Sequence, residues 1–225
     1  IFTGAMMILV GAIMGCSQNS VPATERVKME DLPSLPEIIV PQKLPESAHK
    51  KARNLTLAIV GEVRGELEPC GCPTLPFGGF ERRDTLLKQI KNKGPGPTFH
   101  IDAGDLLIKG FSTRRIDDVQ SRAKEMLNMS KIVGVDAWVP GTSDLMAVSL
   151  NPLKTLPGPP RTSATWKDAS GAHIFPPHLV LQKDGIQIAV VGISAEPPAK
   201  TGVHFEEPST AVQQAIEDIP ETVDW

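Results

Sequence analysis

An apolar run, Leu57-Ala58-Ile59-Val60, passes directly into Gly61-Glu62-Val63-Arg64-Gly65-Glu66-Leu67-Glu68-Pro69-Cys70-Gly71-Cys72. The run reads as a buried strand, and the stretch after it is a glycine-flanked acidic loop. Strands that end in such loops are where α/β proteins place their chemistry, because backbone approaches a ligand there without side-chain interference. Two cysteines one residue apart put a second candidate chemistry in the same loop.

Downstream, strand and helix patterns alternate. Residues 55–60 predict a strand. Residues 81–91 predict a helix with Leu86, Leu87 and Ile90 on one apolar face. Gly94-Pro95-Gly96-Pro97 breaks it, and 98–102 is the next strand. Helical spacing returns at Ile116, Val119, Ala123 and Met126 and ends near Gly134, while 135–139 predicts a third strand closed by Pro140. Strands at 178–182 and 186–193 flank Lys183-Asp184-Gly185, whose Asp-Gly pair is a hairpin signal. A last helix is expected to start at Ser209 and to run toward Trp225. This order predicts an α/β domain over residues 55–225. A net charge of -3 gives no electrostatic argument for a nucleic-acid partner, and the absence of tyrosine with 4% aromatics weakens base stacking or an aromatic carbohydrate platform.

Ahead of that domain, residues 1–16 form one uncharged apolar segment, shorter than the roughly 20 residues that span a bilayer. A signal-peptide hydrophobic region fits better. Its end, Ile13-Met14-Gly15-Cys16, looks like a bacterial lipobox, with Met14 less usual than a small residue. Cys16 is therefore the expected lipidation site; a plain secretory signal or membrane anchor with an incidental cysteine is the other reading. The lack of an initiator methionine and of a basic n-region is what a chain beginning inside its reading frame would show. Residues 17–54 are polar and punctuated by Pro22, Pro33, Pro36, Pro41 and Pro45, which reads as a flexible tether. Diacyl or triacyl attachment at Cys16 would supply the chains that stable anchoring needs, with a membrane as the partner. Ser17 after the cysteine favours the outer membrane and a periplasmic domain.

Within 55–225, the series Gly61-Glu62-Val63-Arg64-Gly65-Glu66-Leu67-Glu68, Gly78-Gly79-Phe80-Glu81-Arg82-Arg83, Asp102-Ala103-Gly104-Asp105, Gly134-Val135-Asp136-Ala137 and Pro140-Gly141-Thr142-Ser143-Asp144 resembles the ordered motifs of bacterial 5'-nucleotidases, secreted members of the calcineurin-like metallophosphoesterase fold. Residues 184–193 resemble that family's following hairpin. The resemblance implies a layered α/β sandwich. It also implies two divalent metals, held by an Asp-x-His pair, a Gly-Asp, an Asn-His and later histidines, that orient water and phosphate for in-line displacement. On this chain Asp105 falls on the bridging aspartate and Glu62 on the first aspartate, one methylene longer. Arg64 falls on the metal-binding histidine, and a guanidinium has no lone pair to offer. Thr142 and Ser143 replace the asparagine ligand and the histidine beside it, and hydroxyls are poor ligands beside imidazole and carboxylate. The later histidines would lie beyond Trp225, so relative to the family the domain is expected to be C-terminally incomplete. His173, His178 and His204 match no ligand spacing and read as surface or core histidines.

The expectation from these replacements is a retained fold with a degenerate metal site, in which an arginine facing Glu62 and Asp105 neutralises them. Cys70 and Cys72 stay open among three readings: a structural disulfide bracing the loop, a redox pair eased by ring strain and by Gly71, or two ligands of a metal site. The functions left in contention are a divergent metal-dependent phosphoesterase, a thiol-redox protein on a reused scaffold, and a non-catalytic binding module.

Overall fold

The computed structural model describes residues 54–69, 78–108 and 116–225. The lipobox, the tether as far as residue 53 and the Cys70–Cys72 pair lie outside the described residues. In chain order the elements are β1 (Thr56–Val60), α1 (Phe80–Lys93), β2 (Thr98–Asp102), α2 (Ile116–Ile132), β3 (Ala137–Trp138), α3 (Thr142–Val148), α4 (Leu150–Thr155), β4 (Trp166–Lys167), β5 (His178–Lys183), β6 (Ile186–Val191), β7 (His204–Phe205) and α5 (Pro208–Glu217). No helix among the described residues is long and apolar enough to cross a membrane.

Three strands form a parallel sheet in the order β1-β2-β3, with Thr56 opposite Thr98, Val60 opposite Asp102, and Asp102 also opposite Trp138. Beyond β3 the chain returns beside it, where Thr162 donates to the Trp138 carbonyl at 3.0 Å and Trp138 to that of Pro160 at 2.8 Å. Strand β2 decides how the layers stack, because successive side chains point to opposite faces. Phe99 is fully buried and packs with Ile186 and Ile188 of the β5–β6 hairpin. His100 and Asp102, on the other face, meet Arg83 of α1. Most of the core lies on the helical side, where Phe80, Leu87, Met126, Leu127, Trp138, Leu145 and Leu153 form one cluster. On the far side of the hairpin Ala211 and Ala215 of α5 pack with Ala164 and Val191. The order of layers is thus helices, parallel sheet, antiparallel hairpin, helix.

Local chemistry explains the element ends. Asp184 and Gly185 both have positive φ, 49° and 73°, the left-handed pair that a tight two-residue hairpin needs. Glu207 caps α5 by accepting from the Thr210 amide at 3.0 Å, with Pro208 at the first helical position. The helix expected from Ser209 toward Trp225 stops at Glu217, two residues before Ile219 is restricted by Pro220. The chain then turns back along the hairpin edge, where Ala189 donates to the Trp225 carbonyl at 2.8 Å. Strand β3 is shorter than the expected 135–139, pairing in register only at Ala137 and Trp138, although Asp136 and Val139 on either side still donate to the His100 and Asp102 carbonyls of β2 at 2.7 and 2.8 Å. Helices α3 and α4, and the two-residue strands β4 and β7, have no counterpart in the sequence-based prediction; each is too short to display a period.

Phe99 carries the contact between the sheet and the hairpin. Phe99→Ala is expected to lower unfolding free energy by about 3–5 kcal/mol through lost burial and the cavity left behind, read from urea titration of the purified protein. A loss under about 1 kcal/mol would show that the hairpin does not depend on this ring.

Candidate functional site

The C-terminal ends of the three parallel strands deliver three loops to one edge of the sheet, the place where open α/β sheets bind ligands. Loop one follows β1, loop two follows β2 and loop three follows β3. Loops one and two continue pairing past their strands: Glu62 donates to the Gly104 carbonyl at 2.8 Å, Arg64 to that of Asp105 at 2.8 Å, and Gly65 to that of Leu106 at 2.9 Å. Arg122 of α2 clasps the Gly65 carbonyl at 2.7 Å. A side chain at Gly65 would meet the Leu107 carbonyl oxygen at 2.9 Å, so only glycine fits this approach.

Loops two and three are tied by an exchange of carboxylates. Asp105 of loop two accepts from the Ser143 amide at 3.1 Å. Asp144, at the start of α3, accepts from Leu107 of loop two at 2.7 Å and from Gly141 at 2.8 Å. Asp144 is fully buried, and burial raises its carboxyl to about 7, with the charges of Asp105 and Asp102 adding to the shift. Glu62, Arg64 and Asp105 all adopt the left-handed backbone, with φ of 55°, 51° and 52°. Such conformations cost free energy in non-glycine residues and gather at functional sites.

Of the residues singled out in the sequence, the loops bring Glu62, Arg64, Asp105, Thr142 and Ser143 to this one edge. Arg64 pairs with Glu62, Nη2 to Oε1 at 3.2 Å. The expectation of one arginine neutralising both acids is met only at Glu62: among the described residues no ion pair joins Arg64 to Asp105, whose Oδ1 takes the Ser143 amide. The pair is near half exposed, 40% and 46%, so it contributes about 0–1 kcal/mol. His173 and His204 are exposed and His178 half-buried.

A charged group lies beneath loop two; Arg83 and Asp102 stand in the motif series, but their contact with each other and with His100 does not show in the sequence. His100 and Asp102 are buried on the α1-facing side of β2, and Arg83 reaches both. Burial, reinforced by the guanidinium of Arg83, lowers His100 to about 4, so its imidazole is neutral near pH 7. Burial raises Asp102 to about 6, against the opposing pull of Arg83. The signal was the alternation Thr98-Phe99-His100-Ile101-Asp102, whose polar face ordinarily means solvent but here lies under a helix.

The resemblance implies a pair of divalent metals, and the donor set of these loops does not fit one. Glu62 is engaged by a cation, Arg64 supplies no lone pair, and Thr142 and Ser143 offer only hydroxyls. No group of three or more His, Cys, Asp or Glu side chains among the described residues is arranged to hold a metal ion.

No family model matches this chain. Its sequence is 31% identical over 157 residues to a 5'-nucleotidase of Vibrio cholerae, covering 63% of this chain and 27% of that protein. A 5'-nucleotidase of Vibrio parahaemolyticus gives 31% over 160 residues, again 27% of the relative. The described domain shares the fold of calcineurin-like phosphoesterases and is similar in sequence to these 5'-nucleotidases. The chain spans about a quarter of the length of those curated relatives. Solved structures share the fold. A putative 5'-nucleotidase from Staphylococcus aureus superposes with a TM-score of 0.59 at 13% identity, covering 76% of this chain and 36% of that one. The calcineurin-like phosphoesterase YfkN from Bacillus subtilis gives 0.56 at 16%, covering 73% and 57%. The sulfate thiohydrolase SoxB of Thermus thermophilus gives 0.57 at 16%, covering 74% and 41%.

In this 5'-nucleotidase-like domain Asp144 makes a measurable pH signature. Its folded carboxyl is raised above the ordinary value near 4, so its contribution to stability is full below that value and is lost as pH rises through about 7. Asp102 acts in the same direction up to about 6, and His100, depressed to about 4, opposes both. Asp144→Asn should cost about 1–3 kcal/mol near pH 4.5 by leaving a buried amide without an acceptor. The deficit should narrow at pH 7.5, where the wild type carries a buried charge that asparagine lacks. Melting both proteins across that range checks it; a deficit that widens with pH contradicts the assignment.

Proposed function

We propose that this chain is part of a lipid-anchored periplasmic protein that keeps the 5'-nucleotidase-like scaffold with a degenerate dinuclear metal site and carries a thiol pair in its first loop. The Arg64–Glu62 ion pair supports this reading most directly, since it places a fixed cation where the family's resemblance implies a metal ligand. Thr142 and Ser143 point the same way. Retention of Asp105, held ready by the Ser143 amide, favours the second reading, a divergent phosphoesterase with an altered metal set.

One assay separates the two. Because the relatives are far longer, it uses the product of the complete gene, with AMP and added zinc, manganese or calcium. Several altered members of one cooperating centre should leave turnover well below ~1 per second, the low end of ordinary enzyme rates. Turnover above that would establish the phosphoesterase.

The thiol proposal rests on sequence. Cys70 and Cys72 lie outside the described residues, in a segment whose described ends meet, with Phe80 donating to the Leu67 carbonyl at 3.0 Å. A ring closed across one intervening residue departs from relaxed disulfide geometry and should reduce more readily than structural bridges, which lie below about -300 mV. Titration in glutathione buffers, counting alkylated thiols by mass spectrometry, is expected to show reversible opening. A pair that stays oxidised throughout, with a lower melting temperature in the double serine variant, would make it a brace.

Anchoring is proposed from Cys16. Acyl-chain incorporation in a bacterium expressing the complete gene should be abolished by Cys16→Ser; equal labelling of the two proteins would remove the anchor from the proposal.

A further inference from the structure

The charged group under loop two has no part in the reading above, yet it touches the backbone that carries Asp105. We propose that Arg83 is a positioning residue for the Asp105 loop and acts through Asp102. The inference goes beyond the proposed function, because the loop needs the same support whether or not Asp105 binds a cation.

The chain of contacts is short. Arg83 Nη2 donates to Asp102 Oδ2 at 3.2 Å, and Asp102 Oδ1 accepts from the Gly104 amide at 3.1 Å. Gly104 stands at φ 105° and Asp105 at φ 52°, a turn that extended or helical neighbours would not impose. On its other side Gly104 is pressed against β3's exit, where a side chain would lie 2.6 Å from the Val139 carbonyl oxygen. The peptide before Asp105 is thus held between a carbonyl wall and the Asp102 carboxylate, and the carboxylate is aimed by Arg83.

Arg83 is itself fixed at three points. Its Nε and Nη2 donate to His100 Nε2 at 3.1 and 2.7 Å, and its guanidinium lies over the Phe80 ring at 5.4 Å. An imidazole that accepts at Nε2 carries its proton on Nδ1 and is neutral, so it orients the guanidinium without competing for the carboxylate. Asp102 has no exposed surface, and Arg83 side-chain exposure is 12%. A buried pair of this kind adds little net stability, but removing one partner leaves the other uncompensated. That asymmetry makes the pair suited to fixing geometry. Lysine could supply the charge but not the planar fork that spans His100 and Asp102 together.

Amide hydrogen exchange on the complete protein tests this. In Arg83→Gln the amides of Gly104 and Asp105 should exchange at least about 10-fold faster, while Val180 and Ala189 in the hairpin stay within about twofold. In an Asp102→Asn background the same change should add less than about twofold, because the route through the carboxylate is already cut. If Arg83→Gln does not fold, Arg83→Lys keeps the buried charge paired and should show the same local pattern. Acceleration spread evenly over hairpin and loop, or an Arg83 effect that persists undiminished in the Asp102→Asn background, would overturn the proposal.

Discussion

Two carboxylates exchanged between neighbouring loops set the geometry of this edge of the sheet. Asp105 reaches across to the Ser143 amide, and Asp144 reaches back to that of Leu107 while also holding Gly141. Each bond satisfies a donor that helix α3 or the loop would otherwise leave open, so the crossing removes backbone liabilities as it joins the loops. The cost is a carboxylate buried at Asp144 without a counter-ion, offset by two amides. Loop one then adds itself by backbone pairing to loop two, and Arg122 secures it from α2. The candidate site is therefore held together by main chain and by two carboxylates.

A guanidinium stands opposite Glu62, and Asp105 keeps its left-handed turn against the Ser143 amide. A shared fold does not carry a chemistry with it, so function must be argued from the side chains at this edge.

Much of the framework could be read in the sequence, and the reasons for the exceptions are local. Strand β2 was bounded correctly because Pro97 and the Ala103-Gly104 pair punctuate both ends, and the hairpin because Asp184-Gly185 permits only a narrow set of turns. Helices α3 and α4 stayed hidden: Gly141 opens the first without a side-chain cap bond, Ser149 at φ 62° separates them, and Pro152 stands inside the second. At the site, motif order located Glu62, Arg64, Asp105, Thr142 and Ser143. The roles of Arg83, His100 and Asp102 could not be seen, because a polar strand face carries the same pattern whether water or a helix covers it. Pairing of Arg64 with Glu62 and not with Asp105 depended on side-chain reach, which spacing does not encode.

Left-handed backbone at positions 62 and 64 bears on which side chains suit this loop. Among residues with side chains, aspartate, asparagine and histidine enter that region most readily. Glutamate and arginine have no such advantage, yet they occupy it here. The main chain therefore favours short polar types at both positions, and the present side chains sit in a conformation better suited to others. Exchange of Glu62 or Arg64 for a short polar residue would therefore relieve local strain in this loop rather than add to it.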